Sequence, residues 1–256
     1  MAIVGGGLAT RILMRLSPTG RGGLSQGTPK AYQNQSKLEV LLGPSIWEEI
    51  RDKTVIDFGC GEGIEAVELS EHGARHVIGI DLWDYWLWLA TERARQHGVS
   101  DRCTFAPMWD GRTRADIIIS LDSFEHFDDP AAILTAFQRM LKPDGSVIAC
   151  FGPTWYHPYG GHLYSIFPWA HFIFTEKALV AWRSTLPNKS AVRSFRETGL
   201  NQMTIARFET LVEQSPFRFA SFEAVPIRRL RWAATGLLRE FTTSIVRCRL
   251  EPRHAI

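Results

Sequence analysis

The run Val55-Ile56-Asp57-Phe58-Gly59-Cys60-Gly61-Glu62-Gly63 constrains this chain more than any other stretch. A short β-branched segment passes into a turn with glycine at alternate positions. Glycine there permits positive φ and lets the backbone approach a ligand closely. From Glu62 to His72 the spacing is helical, and Gly73 stands where a C-cap glycine ends such a helix. A strand that turns through glycines into a helix opens a βαβ unit. It therefore commits the chain to a parallel sheet with crossover helices.

The same alternation continues. His76–Ile80 reads as a second strand, and Trp83–His97 as a helix ended by Gly98. Arg102–Phe105 reads as a third strand. Asp116–Leu121 reads as a fourth, apolar on both faces as a central parallel strand must be. Asp129-Pro130 opens a helix to about Leu141. Pro143-Asp144-Gly145 is a turn before a fifth strand, Ser146–Phe151. Phe217–Val225 and Thr243–Leu250 are two further strands, expected to be antiparallel. Upstream, Leu38, Leu41, Leu42, Ile46, Trp47 and Ile50 sit at helical spacing, with Gly43-Pro44 breaking the helix in two. The expected fold is α/β, a doubly wound sheet of seven mostly parallel strands. An aromatic-rich cap is inserted between strands five and six. Residues 1–34 are expected as a flexible arm, 35–153 as the ligand-binding core, 154–215 as the cap and 216–256 as the strands that complete the sheet.

The glycine loop narrows the ligand. In a doubly wound sheet, ligands sit outside the carboxyl ends of the strands, beside the first one. Asp81, at the end of the second strand, is placed to accept from both hydroxyls of a ribose. A dinucleotide would need a third glycine where Ile64 stands, and a helix N-terminus open to pyrophosphate. Here Asp57, Glu62 and Glu65 crowd that N-terminus with negative charge. They suit a ligand with a cationic end.

At these residues the chain resembles the class I S-adenosylmethionine (SAM) dependent methyltransferases, with a Rossmann-like sheet. The likeness covers about residues 53–152. VIDFGCGEG resembles the family's first motif, VIGIDL its acidic second, ADIIISLDSFEHFDDP its fourth, and LKPDGSV the turn before the fifth strand. The resemblance implies that Gly59, Gly61 and Gly63 cradle the methionine part of SAM and that Asp57 organises the loop. It implies that Asp81 holds the ribose and that Leu82 or Trp83 covers the adenine. Trp109 and Asp110 fall where the family contacts the adenine ring, and Leu121 and Asp122 face the cofactor from the fourth strand.

On the acceptor side, His126, His157 and His162 are candidate catalytic bases, needed where the acceptor is protonated at working pH. Asp122, Glu125 and His126 resemble the acid-x-x-Glu-His pattern of ubiquinone-pathway O-methyltransferases, which has been linked to a divalent ion. Here the first acid is Asp, and no metal is expected. Trp155–Tyr164 is expected to act as a lid over the acceptor, the alternative being a subdomain core. The next stretch, Ser165–Phe174, is almost wholly apolar. It fits a hydrophobic acceptor, a membrane-facing edge or buried packing. Tyr85, Trp86 and Trp88 are expected in the core, and Trp83 beside the cofactor.

Composition enters as a filter. A net charge of +2 does not argue for nucleic acid. The fourth strand ends Ser120-Leu121-Asp122-Ser123, without the Asn/Asp-Pro-Pro-aromatic tetrapeptide of amino-methylating nucleic-acid enzymes. Arg11, Arg15, Arg21, Lys30 and Lys37 make the N-terminus basic. Arg228, Arg229, Arg231, Arg239, Arg247, Arg249 and Arg253, against Glu240 and Glu251, do the same near the C-terminus. They read as a solvated face, with peripheral membrane contact or an anionic substrate as the alternative. The four cysteines form no CxxC pair and fit a reducing, cytoplasmic setting. The expected function is methyl transfer from SAM to a small, hydrophobic acceptor. A non-catalytic module on the same scaffold is the alternative. Nothing in the sequence sets an oligomeric state.

Overall fold

A computed structural model describes residues 3–18, 32, 35–186 and 192–253. Helix α1, Gly6–Leu16, opens the chain. Then come α2 (Lys37–Leu42), α3 (Ile46–Ile50), β1 (Thr54–Phe58), α4 (Ile64–Glu71), β2 (His76–Ile80), α5 (Asp84–Gln96), β3 (Cys103–Ala106) and β4 (Ala115–Leu121). A short 3-10 turn, Phe124–His126, leads to α6 (Pro130–Met140) and β5 (Leu141–Phe151). The cap carries α7 (Ala170–Ile173) and α8 (Glu176–Ser184). It is followed by α9 (Ile205–Glu213), β6 (Phe217–Pro226), α10 (Arg239–Thr242) and β7 (Thr243–Pro252).

One seven-stranded sheet runs in the order β3-β2-β1-β4-β5-β7-β6. The β1–β2, β1–β4, β2–β3 and β4–β5 pairs are parallel. β7 pairs antiparallel with both β5 and β6. β7 alone therefore opposes the others and β6 runs with them, so the last two strands are antiparallel to one another. The strand order turns back between β1 and β4, so the switch point lies at the glycine loop.

Sequence signals account for most boundaries. Gly43, at φ +85°, separates α2 from α3. Asp129 caps α6 by accepting from the Ala132 amide at 3.0 Å, with Pro130 in the first turn. β5 starts earlier than expected. Ala115 pairs with Leu141, then Ile117 pairs with Ser146, so the Pro143-Asp144-Gly145 turn is an irregularity inside the strand.

Two apolar layers cover the sheet. One holds Ile56, Ile118, Phe124, Phe137, Phe151 and Phe208. The other holds Leu38, Val55, Val67, Ile117, Ile119 and Cys150. All four cysteines are free and buried. The cap has a core of its own, with Tyr164, Leu179, Trp182 and Phe195 packed against Ala9 and Leu13 of α1. Trp155 joins it through ring contacts to His171 and Phe195. Of the rings expected as a lid, Trp155 and Tyr164 thus pack a subdomain core.

The expected flexible arm is corrected over Gly6–Leu16. An apolar stripe makes that segment a helix, and α8 buries the stripe. Arg21 and Lys30, the other basic residues of the expected arm, lie outside the described residues. The expected burial of Tyr85, Trp86 and Trp88 is also corrected: all are exposed on α5. Ala90 and Ala94 form the buried face of α5, and the aromatic positions turn outward. No helix among the described residues is long and apolar enough to cross a membrane.

Candidate functional site

The loop after β1 is held from below. The Gly59 and Cys60 amides donate to the Ile80 carbonyl at 2.8 and 3.1 Å. The Gly61 amide donates to Asp81 Oδ2 at 3.0 Å, and Asp81 Oδ1 accepts from the Trp83 amide at 3.1 Å. One carboxylate thus ties the β1 loop to the start of α5. Gly61 has φ +49°, and a Cβ there would meet nothing within 4 Å, so its face is open to a ligand. Gly63 has φ +75°, and its Cβ would stand 2.6 Å from Ala90 Cβ. Its role is to let α4 pack on α5.

Carboxyl groups gather behind this loop. Asp57 is buried at the end of β1, and its Oδ2 has no hydrogen-bond partner among the described residues. Burial, then the Glu65 carboxylate, push its pKa up to about 8, with Lys37 opposing. Glu125 is also buried and pushed up to about 8, by burial and then by Asp122. Its Oε1 accepts from the Gly152 amide at 3.3 Å. Lys37, from α2, reaches Asp122 Oδ2 at 3.0 Å and Glu65 Oε1 at 3.4 Å. Burial works against the Lys37 charge, yet Asp122 and Glu65 outweigh it and raise its pKa. Burial and then Asp122 push the Tyr32 hydroxyl up to about 12. Asp57, Glu65, Asp81, Asp122 and Glu125 thus share one region with Lys37 as the facing cation. An unpartnered carboxylate oxygen beside an open glycine suits a ligand with positive charge.

The structure brings His126 and His162 together, their rings 5.4 Å apart and nearly perpendicular. His126 Nδ1 lies 3.1 Å from the Gly199 carbonyl. A carbonyl only accepts, so Nδ1 carries the proton and Nε2 keeps its lone pair. His162 Nε2 likewise donates to the Pro153 carbonyl at 3.2 Å, leaving Nδ1 free. Packing partly desolvates the otherwise exposed His126 ring and lowers its pKa, and burial followed by His126 takes His162 to about 4. Both rings are neutral at physiological pH. His157 is set apart from them. Its Nδ1 accepts from the Tyr159 amide at 3.0 Å, so its Nε2 carries the proton. Burial, then His171, lower it to about 4.

The remaining expected site residues have the following surroundings. Asp110 accepts from the Arg112 amide, the Thr113 amide and the Thr113 hydroxyl at 2.8, 2.9 and 2.7 Å, bonds that lower its pKa. Trp109 Nε1 donates to the Thr113 carbonyl at 2.6 Å. Leu121 packs in the core layer with Ile119. Leu82 and Trp83 are 84% and 69% exposed. Asp122, Glu125 and His126 turn to different partners: Lys37, Gly152 and Gly199. Among the described residues no group of three acids, histidines or cysteines could hold a metal ion. Sequence reasoning missed the inward turn of Lys37 and the burial of His171. The excess of acids at the loop was the available signal for Lys37.

The doubly wound sheet and the glycine loop at its switch point define an α/β protein that binds its ligand at the carboxyl end of the strands. Residues 26–207 match the model of a methyltransferase-domain family. The ubiquinone biosynthesis O-methyltransferase of Neisseria meningitidis serogroup C (strain 053442) is 30% identical over 174 residues, 66% of this chain and 71% of its own. That of Hahella chejuensis is 34% identical over 95 residues, 36% of this chain and 40% of its own. A SAM-dependent methyltransferase from Mesorhizobium loti shares the fold, with a TM-score of 0.52 at 17% identity, over 82% of this chain and 97% of its own. The chain belongs to the class I SAM-dependent methyltransferases. Its cofactor is SAM.

Proposed function

We propose that this enzyme methylates an oxygen of a small, largely apolar acceptor, and that His126 takes the acceptor's proton. The observation that carries this is the neutral His126 ring, whose Nε2 lone pair is left free by the Nδ1 bond to Gly199. Ubiquinone biosynthesis O-methyltransferases among the relatives support an oxygen acceptor of low molecular weight. Leu163, an exposed apolar side chain next to His162, supports a hydrophobic one.

Bound SAM supplies an activated methyl on a sulfonium. The chain's own part is to bind, orient and exclude water. Asp81 is the proposed ribose acceptor, because its carboxylate already stands against the Gly61 amide. Asp57 and Asp122 are proposed to face the cationic amino-acid end, with Gly59, Gly61 and Gly63 forming the cradle. Leu82 and Trp83, exposed beside Asp81, are the proposed adenine cover. Holding donor and acceptor in line can supply roughly 7–11 kcal/mol of a barrier. His162 is proposed to hold the His126 ring in place by its edge contact.

The test is a screen of apolar hydroxylated molecules, proteins and RNA with methyl-labelled SAM. Transfer to a small hydroxylated acceptor is expected. His126→Ala should then lower kcat by about a hundredfold or more and abolish the acid limb of the pH profile. Labelling of protein or RNA alone would sink the acceptor assignment, and an unchanged pH profile would sink the role of His126.

A further inference from the structure

The connection between β6 and β7 lies at the same end of the sheet as the glycine loop. Pro226 pairs with Thr243, and Phe151 with Val246, so residues 227–242 turn over at the carboxyl end of β5. Ala233 anchors this connection by burial, and its neighbours point outward. Arg228, Arg229 and Arg231 are exposed, and none has a side-chain hydrogen bond or ion pair among the described residues. The nearby acids are committed: Glu240 accepts from the Ile205 and Ala206 amides, and Glu209 pairs with Arg239. Between these arginines and α10 stand Trp232, 82% exposed, and an exposed Leu238.

The surface continues onto the cap. Phe241 packs on Tyr156 at 5.1 Å, and Tyr156 stacks on Phe172 at 5.5 Å. Beside Phe172, the Ile173 carbonyl accepts from the Ile3 and Val4 amides at 3.0 and 2.9 Å. Ile3 is 88% exposed, and Leu8 on α1 is 69% exposed, with Arg11 and Arg15 exposed on the same helix. Exposed apolar side chains and arginines without partners among the described residues thus occur on both the β6–β7 connection and α1, and Tyr156, Phe172 and Ile173 link the two.

We propose that this surface docks on an anionic lipid bilayer. Trp232, Leu238, Ile3 and Leu8 enter the interfacial layer, and the arginines meet the headgroups. The charge and the apolar content together select this occupant. Tryptophan beside arginine is the composition that interfacial anchors use. A nucleic acid would match the arginines but offers no hydrocarbon to exposed Leu and Ile. A second copy related by a two-fold axis would set arginine against arginine. Docking does not depend on methyl transfer, so it stands or falls apart from the proposed acceptor.

The experiment is sedimentation of the full chain with vesicles of phosphatidylcholine alone and of phosphatidylcholine with phosphatidylglycerol. Binding to the anionic vesicles is expected, with little to the neutral ones and a steep fall as salt rises. In R228E/R229E/R231E, each arginine removed should weaken binding about fivefold. W232A should weaken it severalfold. Both variants alter exposed side chains, so S-adenosylhomocysteine affinity and the unfolding midpoint should match the parent. Failure of the folded parent to bind anionic vesicles would overturn the proposal. So would equal binding to neutral vesicles, or unchanged binding by the charge-reversed variant. Binding that heparin abolishes and W232A leaves intact would make the surface a soluble-polyanion site and also overturn it.

Discussion

The Gly61 amide donates to Asp81 Oδ2 across 3.0 Å, joining the loop after β1 to the turn after β2. Asp81 Oδ1 also accepts from the Trp83 amide at the head of α5. Asp81→Ala removes both bonds and the proposed ribose acceptor. Hydrogen bonds to a charged group contribute about 1.5–3 kcal/mol each, so SAM affinity should fall at least about tenfold. The two lost bonds to backbone amides, both open to solvent in part, should cost about 1–3 kcal/mol of folding stability. Titration calorimetry with SAM, S-adenosylhomocysteine and NAD, beside denaturant unfolding, checks both parts.

Two glycines of one loop should respond differently to the same substitution. Gly63→Ala drives a Cβ to 2.6 Å from Ala90 Cβ at φ +75°. Overpacking of that kind typically costs about 1–3 kcal/mol, so the melting temperature should drop clearly. Gly61→Ala meets no neighbour and bears only the left-handed strain, about 1–2 kcal/mol. Its larger effect should be on SAM affinity, because the added methyl enters the open face of the loop. Equal losses of SAM affinity in the two variants would contradict this division.

Lys37 balances Asp122 and Glu65. Lys37→Met leaves those carboxylates near the buried Asp57 without their cation. The pair is partly open to solvent, so the expected loss is about 1–3 kcal/mol at neutral pH, below the fully buried range. The loss should shrink at acid pH, where the carboxylates are neutral, and should be relieved in part by adding Asp122→Asn. Urea unfolding of the single and double variants at two pH values is the measurement.

Glu125 gives stability a slope with pH. Its folded pKa is raised to about 8, while an unfolded glutamate releases its proton near pH 4.5. The folded state therefore holds the proton more tightly. Its contribution is complete below the ordinary carboxylate range and is lost as pH rises through about 8. Glu125→Gln should flatten the fall in stability between mildly acid and mildly alkaline pH. Thermal melts across that window, parent beside variant, would show an unchanged slope if Glu125 is ionised in the folded protein.

The best-read part of the chain was the part governed by local rules. β1, its glycine turn, α4 and Asp81 were legible because strand period, positive-φ glycines and capping act over a few residues. α1 was not legible. Gly5-Gly6-Gly7 and scattered arginines look like an arm, and the helix is held because α8, far along the chain, buries Ala9 and Leu13. The outward aromatics of α5 were missed for a related reason. Hydrophobicity predicts burial only where a neighbour exists to cover it, and Ala90 and Ala94 already fill that contact. The three candidate histidines were named from the sequence as a group. Which of them meet depended on backbone carbonyls at Gly199 and Pro153.

The sequence by itself determined the doubly wound sheet, the place of its switch point and the acidic, glycine-lined loop there. Those follow from periodicity and from the few residues able to adopt the turn. Tertiary structure alone decided that Lys37 stands among the acids, that His126 and His162 face each other, and that Trp232 and three arginines lie bare on one surface. The first two relations join residues distant in sequence. Their energies come from burial and from charges brought within a few ångströms, which no local pattern encodes.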